Sequence, residues 1–217
     1  MIPIKVRQPS YSTPVVTICL IVVNVLIFLY EFWLGLVDPY TLNRFMDVYS
    51  LRPAYFSFVN VFSAMFVHAN WMHVLGNMLF LWVFGDNVED AMGHLRFIMF
   101  YLMCGIFAAV VHSWIMPDSG LPLIGASGAV AGIISAYLIL HPKVKIWVLA
   151  LWRIPIKITA YWALGFWILA QFANLAFGAE ESVAWGAHIG GLLSGAVLIL
   201  FMRRRGVPLF DQTRGGA

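Results

Sequence analysis

The chain has 217 residues, of which 62% are hydrophobic and 11% charged, with a net charge of +3. Soluble domains carry about 25% charged residues, and a water-soluble fold of this length cannot hide so large a deficit, so the composition points to an integral membrane protein. The positive balance does not point to nucleic acid, because there is no basic run with interleaved aromatic residues.

In chain order, residues 1–12 read as a tail, 13–202 as one membrane domain and 203–217 as a second tail. The first span is expected over about Thr13 to Trp33, with Thr13 as N-cap and Pro14 at the first helical position. Its length, and the lack of a clear cleavage site, set it apart from a signal peptide. Residues 35–69 are too aromatic for a plain solvent loop, with Tyr40, Phe45, Tyr49, Tyr55, Phe56 and Phe58, and read as a partly embedded outer element. Asn70 can cap a second span, whose far end is marked by Asp86, Glu89, Asp90 and Gly93. Glu89 and Asp90 read as structural partners there, with Arg96 within reach along the chain. A third span runs from about Leu95 to Met116, before Pro117, and a fourth from Ser127 to Leu140. Lys143 to Lys157 is basic, bears Trp residues and reads as an interfacial segment. The fifth and sixth spans are about 158–177 and 184–202. Cys19 and Cys104 lie in apolar runs and read as small core residues.

Six spans put both ends on one side. With the N-terminus inside, Lys5, Arg7, Arg96, Lys143, Lys145, Arg153, Lys157, Arg203, Arg204, Arg205 and Arg214 are inner, and only Arg44 and Arg52 are outer. Asp118, Glu180 and Glu181 then fall outside. This asymmetry follows the positive-inside rule and places both termini in the cytoplasm.

Polar residues inside a span are costly, and each is a functional candidate. His73 and Asn77, four apart, share one face of the second span. Ser127 opens the fourth span and His188 lies near the start of the sixth. All three spans run inward, so topology puts the four residues at one depth. The fourth span is about 21 Å long at 1.5 Å per residue, against a hydrocarbon core of about 30 Å. Ser127 is therefore expected roughly 10 Å below the outer surface, on the floor of a wet cavity open outward. Gly128 and Gly132 in the fourth span, and Gly191 and Gly195 in the sixth, are spaced for close helix contact. That contact would bring Ser127 within hydrogen-bond reach of His188, as nucleophile and general base. No Asp or Glu lies in the body of either span, so a dyad is the available chemistry. His73, Asn77 and the N–H of Ser127 can serve an oxyanion, aided by the helix dipole. Taken singly, each residue has a plainer reading: packing for Ser127, helix–helix bonding for Asn77, an interfacial position for His188. His68 and His73 are five apart, unlike the HExxH spacing, so no metal site is expected.

These residues resemble the rhomboid family of intramembrane serine proteases. His68, His73 and Asn77 match its second-helix motif, Gly125-Ala126-Ser127-Gly128 its GxSG motif, and Ala187-His188 with Gly191 and Gly195 its sixth-helix motif. Glu89, Gly93 and Arg96 resemble its turn between the second and third helices. The resemblance implies an all-α, six-transmembrane-helix bundle with a partly embedded outer loop between helices 1 and 2. It implies Ser127 as nucleophile, His188 as base, His73 and Asn77 as oxyanion donors, Gly125 as the residue shaping the loop, His68 in support, and no cofactor. It implies transmembrane protein substrates, with lipid as the surroundings, reaching the site near the second and fifth helices. Phe166, Trp167 and Phe172 are candidate gate residues. Because helical carbonyls are already bonded, substrates should unwind easily near the cut. Two positions depart from the family pattern: Val59-Asn60 stands where many members have Trp-Arg, and Ala131 where many have an aromatic residue stacked on the histidine. The rival readings are a catalytically silent relative that binds membrane clients, and a small transporter. The transporter is poorly supported, since the inner halves of the second, fourth and sixth spans lack ionisable residues until their ends. A bacterial-type cytoplasmic membrane is the expected location.

Overall fold

The structure is a computed structural model, which describes residues 2–6, 12–150, 153–177 and 183–211. Arg7, Glu180, Glu181 and Arg214, used in the charge count, lie outside the described residues. Helices dominate: α1 (Val15–Val37), α2 (Pro39–Tyr49), α3 (Phe58–Ser63), α4 (Trp71–Met92), α5 (His94–Ile115), α6 (Ser127–Leu140), α7 (Ala160–Phe177) and α8 (Trp185–Met202). Among the described residues α1, α5, α7 and α8 are long and apolar enough to cross a membrane. α4 is as long as α5 but carries Asp86, Glu89 and Asp90, and α6 has 14 residues.

The core is apolar, and so is much of the surface. The buried stripe of α1 is Thr17, Leu20, Asn24, Phe28, Glu31 and Leu34, half of it polar, while Leu26, Trp33 and Leu36 are exposed. The 3–4 spacing makes this a single helical face. Apolar side chains turned outward on this scale mark a surface solvated by lipid. Cys19 is on that outward surface, not in the core, whereas Cys104 is buried.

Side-chain caps from the local sequence mark the starts of α2 and α4. Asn70 caps α4 by accepting a hydrogen bond from the His73 N–H at 2.9 Å. The first helix is different. Thr13 does not cap it; Pro14 precedes the first helical residue and supplies no capping side chain. Instead the buried Glu89 carboxylate accepts from the N–H groups of Val16 (2.9 Å) and Thr17 (2.8 Å) and from Thr17 Oγ1 (2.6 Å). Among the described residues the carboxylate is also met by His94 Nδ1 at 2.6 Å, and not by Arg96. Arg96 donates to the Met202 and Arg203 carbonyls at the end of α8. The helix also runs past Gly35 to Val37, longer than expected, before Asp38 caps α2 through Thr41.

The expected interfacial segment is a β-hairpin. Strands β1 (Ile2–Val6), β2 (Lys145–Ala150) and β3 (Ile154–Thr159) form an antiparallel sheet in the order β1-β2-β3. Along β2, Lys145 is exposed, Ile146 buried, Trp147 half-buried and Val148 buried, the alternation of a sheet with one covered face. The segment after α8 also docks: Phe210 N–H donates to the Ile139 carbonyl at 2.8 Å, and Asp211 accepts from the Lys143 N–H at 2.6 Å.

The outer element braces the loop before α6. Leu51 and Leu123 exchange backbone hydrogen bonds at 3.1 and 2.7 Å, and Ala54 N–H donates to the Ser119 carbonyl at 3.0 Å. Asn60 Nδ2 donates to the Val48 and Ser50 carbonyls at 2.9 and 2.6 Å, tying this element together.

Candidate active site

Ser127 is the first residue of α6 and half-buried. The N–H groups of a first helical turn have no intrahelical acceptors, so they point toward whatever lies beside Ser127. The turn before it depends on Gly125, whose φ of +105° favours glycine. Gly125 N–H donates to the Ala64 carbonyl at 2.8 Å, fixing the loop against the outer element.

Space is a second demand on Gly125. A methyl group there would lie 2.5 Å from His73 Nε2 and 3.4 Å from Asn77 Nδ2. Both nitrogens, one helical turn apart on α4, therefore converge on the backbone just ahead of Ser127. Asn77 Nδ2 also lies 3.1 Å from His68 Nε2, and His68 Nδ1 lies 3.2 Å from the Phe66 carbonyl. Asn77 donates in the first contact, which makes His68 Nε2 the acceptor and Nδ1 the protonated atom. The His68 N–H donates to Glu31 Oε2 at 3.2 Å, while Glu31 Oε1 is buried without a partner among the described residues.

His188 comes from the other side. α8 crosses α6 so closely that a methyl group at Gly191 would collide with the Gly128 carbonyl, and one at Gly195 with the Gly132 carbonyl. The glycines of α6 are hemmed in by α5 as well: methyl groups at Gly128 and Gly132 would collide with Ala108 and Cys104, and the one at Gly132 would also lie 3.2 Å from the Gly191 carbonyl of α8. A methyl group at Gly128 would also lie 3.6 Å from the Ala187 carbonyl of α8, so the neighbours of Ser127 and His188 abut. Among the described residues Ser127 and His188 make no hydrogen bond to each other. Instead His188 Nδ1 is 2.8 Å from Gln171 Oε1 on α7. The ring also lies edge-on to Trp185, centroids 5.8 Å apart at 90°, and 6.2 Å from Trp167 at 30°. These contacts hold the imidazole where Ala131 offers no ring.

The cavity at Ser127 is about 20 Å³, bounded by Gly125, Gly128, Ala187, Met65 and neighbours. That is room for about one water, far less than the open wet cavity expected from the depth of the fourth span. A larger groove of about 160 Å³ lies between α4, α7 and the sheet, lined by Phe80, Phe166, Trp167, Ile146 and Val148. The Phe80 and Trp167 rings, 5.9 Å apart, bridge α4 and α7 there. Phe172 is exposed on the same helix.

The structure thus gathers His68, His73, Asn77, Gly125 and Ser127 on one side and sets His188 on the adjoining helix. Gln171 and Glu31 belong to the same neighbourhood but were absent from the sequence reading. Both are polar residues inside apolar helices, the signal that singled out the other four.

The family model described as Rhomboid domain matches residues 55–205. Rhomboid-like protein 11, chloroplastic, of Arabidopsis thaliana is 28% identical over 203 residues, 83% of this chain and 68% of its own length. Rhomboid protein 1, mitochondrial, of Saccharomyces cerevisiae is 28% identical over 166 residues, 71% of this chain and 45% of its own. RHOMBOID-like protein 6, mitochondrial, of Arabidopsis thaliana is 33% identical over 143 residues, 65% of this chain and 43% of its own. The chain therefore spans about two thirds of the first relative and less than half of the other two. A family match over well more than half of its length, on a mostly helical membrane fold, means that the chain belongs to the rhomboid family.

Proposed function

We propose that this protein is an intramembrane serine endopeptidase that cuts transmembrane proteins in or near their membrane segments. The observation that carries the reading is the convergence of His73 Nε2 and Asn77 Nδ2 on Gly125, two residues before a serine that opens a helix packed against the helix of His188. Ser127 Oγ attacks the scissile carbonyl as His188 Nε2 takes its proton. The resulting oxyanion accepts hydrogen bonds from Asn77 Nδ2, from His73 and from the Ser127 N–H at the positive end of α6. The imidazolium then protonates the leaving amine, and water on the same base releases the acyl group. A single-span substrate would reach the site along the groove between α4 and α7, past Phe80 and Trp167. The reading takes lipid as the protein's surroundings, needs no cofactor or nucleic acid, and places the chain in a cell's cytoplasmic membrane with both termini cytoplasmic.

The test is a single-span reporter incubated with purified protein in detergent. Wild type is expected to cleave it and to react with a serine-directed phosphonate, and Ser127→Ala to do neither. General-base and nucleophile losses cost at least about 10²–10⁴-fold in rate, well within what cleavage gels resolve. Equal cleavage by wild type and Ser127→Ala ends the proposal. A wild type that neither cleaves nor labels, yet retains the reporter as strongly as Ser127→Ala, favours the client-binding reading, for which the missing Ser127–His188 hydrogen bond speaks.

A further inference from the structure

The proposed base has two nitrogens, and only one can do the work. A neutral imidazole carries its proton on Nδ1 or Nε2, and the partner of one nitrogen decides the state of the other. The Trp185 and Trp167 rings restrain the tilt of His188 but cannot tell its nitrogens apart. Ala131 on α6 packs against Gly191 and brings no polar atom.

Gln171 does discriminate. Its Oε1 lies 2.8 Å from His188 Nδ1 and its Nε2 donates to the Trp167 carbonyl at 3.1 Å, one helical turn back. Reversing the amide would set Oε1 against a carbonyl oxygen, two acceptors facing each other, so the amide has one stable orientation. With Oε1 turned to the ring, Nδ1 must carry the proton. Gln171 is only 4% exposed, and a buried amide without hydrogen bonds is costly. The arrangement that satisfies it is the one that also fixes the histidine.

We infer that Gln171 is a positioning residue for His188, holding the imidazole as its Nδ1–H tautomer and leaving Nε2 free to take the Ser127 proton. This deepens the serine-protease reading and rests on it. The Nδ1 proton stays in place throughout, donated to Gln171 Oε1 whether the ring is neutral or charged; only the Nε2 proton moves. An amide does this without the expense of a second charge inside the membrane. The partner comes from α7, seventeen residues earlier in the chain, so the site draws on a fourth helix beyond α4, α6 and α8.

Gln171→Met, nearly isosteric but without an acceptor for Nδ1–H, and Gln171→Glu, which keeps an acceptor oxygen, are purified in detergent and their Tm compared with wild type. Gln171→Met is expected to lose about 10- to 100-fold in kcat, part of the full worth of a general base, with KM nearly unchanged. Gln171→Glu should recover most of that loss. Its carboxylate favours the imidazolium, so the acidic limb of the rate–pH profile should move to higher pH. His73 and His112 are the other titratable groups facing His188, and both are common to all three proteins. A merely structural role would scale the profile without moving it. Independently of activity, nitrogen NMR on histidine-labelled protein reads the tautomer, with the His188 signal assigned by its loss in His188→Ala. Wild type should be protonated on Nδ1 alone and Gln171→Met should show both tautomers. An Nε2–H signal in wild type, or a Gln171→Met protein with unchanged kcat and pH profile, overturns the assignment. If Ser127→Ala is inactive while Gln171→Met is fully active, only the positioning role falls. If wild type is as inactive as Ser127→Ala, the protease reading falls and the NMR still decides the Gln171 bond.

Discussion

Asn77 has two amide hydrogens, enough to serve both of the readings an intramembrane asparagine invites. One goes to His68 Nε2 at 3.1 Å, and the amide nitrogen also stands over Gly125, where a developing oxyanion would sit. His68 is set for this by its own Nδ1–H contact with Phe66 and by Glu31, which takes its backbone N–H. Asn77→Ala should therefore lower kcat by about 10²–10³-fold, the worth of one oxyanion donor, with little change in KM. It should also lower Tm, because His68 Nε2 is left unpaired at a cost of about 1–3 kcal/mol. Steady-state kinetics beside thermal unfolding in detergent check both. A fallen Tm with kcat untouched would leave Asn77 as helix–helix bonding alone. The sequence reading reached Asn77 because His73 sits four residues before it on one helical face. Glu31 and Gln171 escaped because each is a single polar residue whose partner is remote: His68 lies 37 residues from Glu31, and His188 lies 17 from Gln171.

At the level of elements, two kinds of helix end behave differently. The start of α4 at Asn70 and the span of α6 from Ser127 to Leu140 were legible, since the cap, the breakers and the apolar run all lie in the local sequence. The cap of α1 was not, because its N–H groups are taken by Glu89, more than 70 residues on. The hairpin was missed for another reason. Ile154, Ile156 and Ile158 alternate with other residues as a strand requires, but the Trp and basic residues around them also suit an interface. The contact of α6 with α8 was legible as glycine spacing, and glycines of both helices make it. Gly191→Ala tests that contact. Its methyl group meets the Gly128 carbonyl, and overpacking of this kind costs about 1–3 kcal/mol. It also pushes α8, and His188 with it, away from Ser127, so Tm and kcat should fall together. Gly165→Ala on α7 is the control, since nothing lies within 4 Å of the added carbon and a helical Gly→Ala change is neutral or stabilising. Equal tolerance of the two substitutions would mean that close approach does not set the α6–α8 geometry.

The molecule as a whole is ordered along one axis. Aromatic and apolar side chains of the outer element, such as Tyr55 and Phe58, are exposed at one end, beside the loop that carries Gly125. At the other end lie the sheet, the docked residues 203–211 and most of the cations among the described residues, such as Lys143, Lys145, Lys157 and Arg205. An axis of this kind has two possible orientations in a bilayer, and packing is indifferent between them. Charge is not indifferent, because cationic loops resist translocation. The sheet end should therefore face the cytoplasm and the site should open to the other side. Single cysteines in a background lacking Cys19 and Cys104 decide this. Tyr55→Cys, at a position 78% exposed at the outer end, should react with a membrane-impermeant thiol reagent added to intact bacterial cells whose outer barrier is permeable to it. Arg205→Cys, at an exposed position, should react only after the cytoplasmic membrane is opened. The reverse pattern would put Ser127 near the cytoplasmic face and substrates would have to be cut from within; labelling of both positions in intact cells would mean mixed insertion, which the eleven-to-two division of cations argues against.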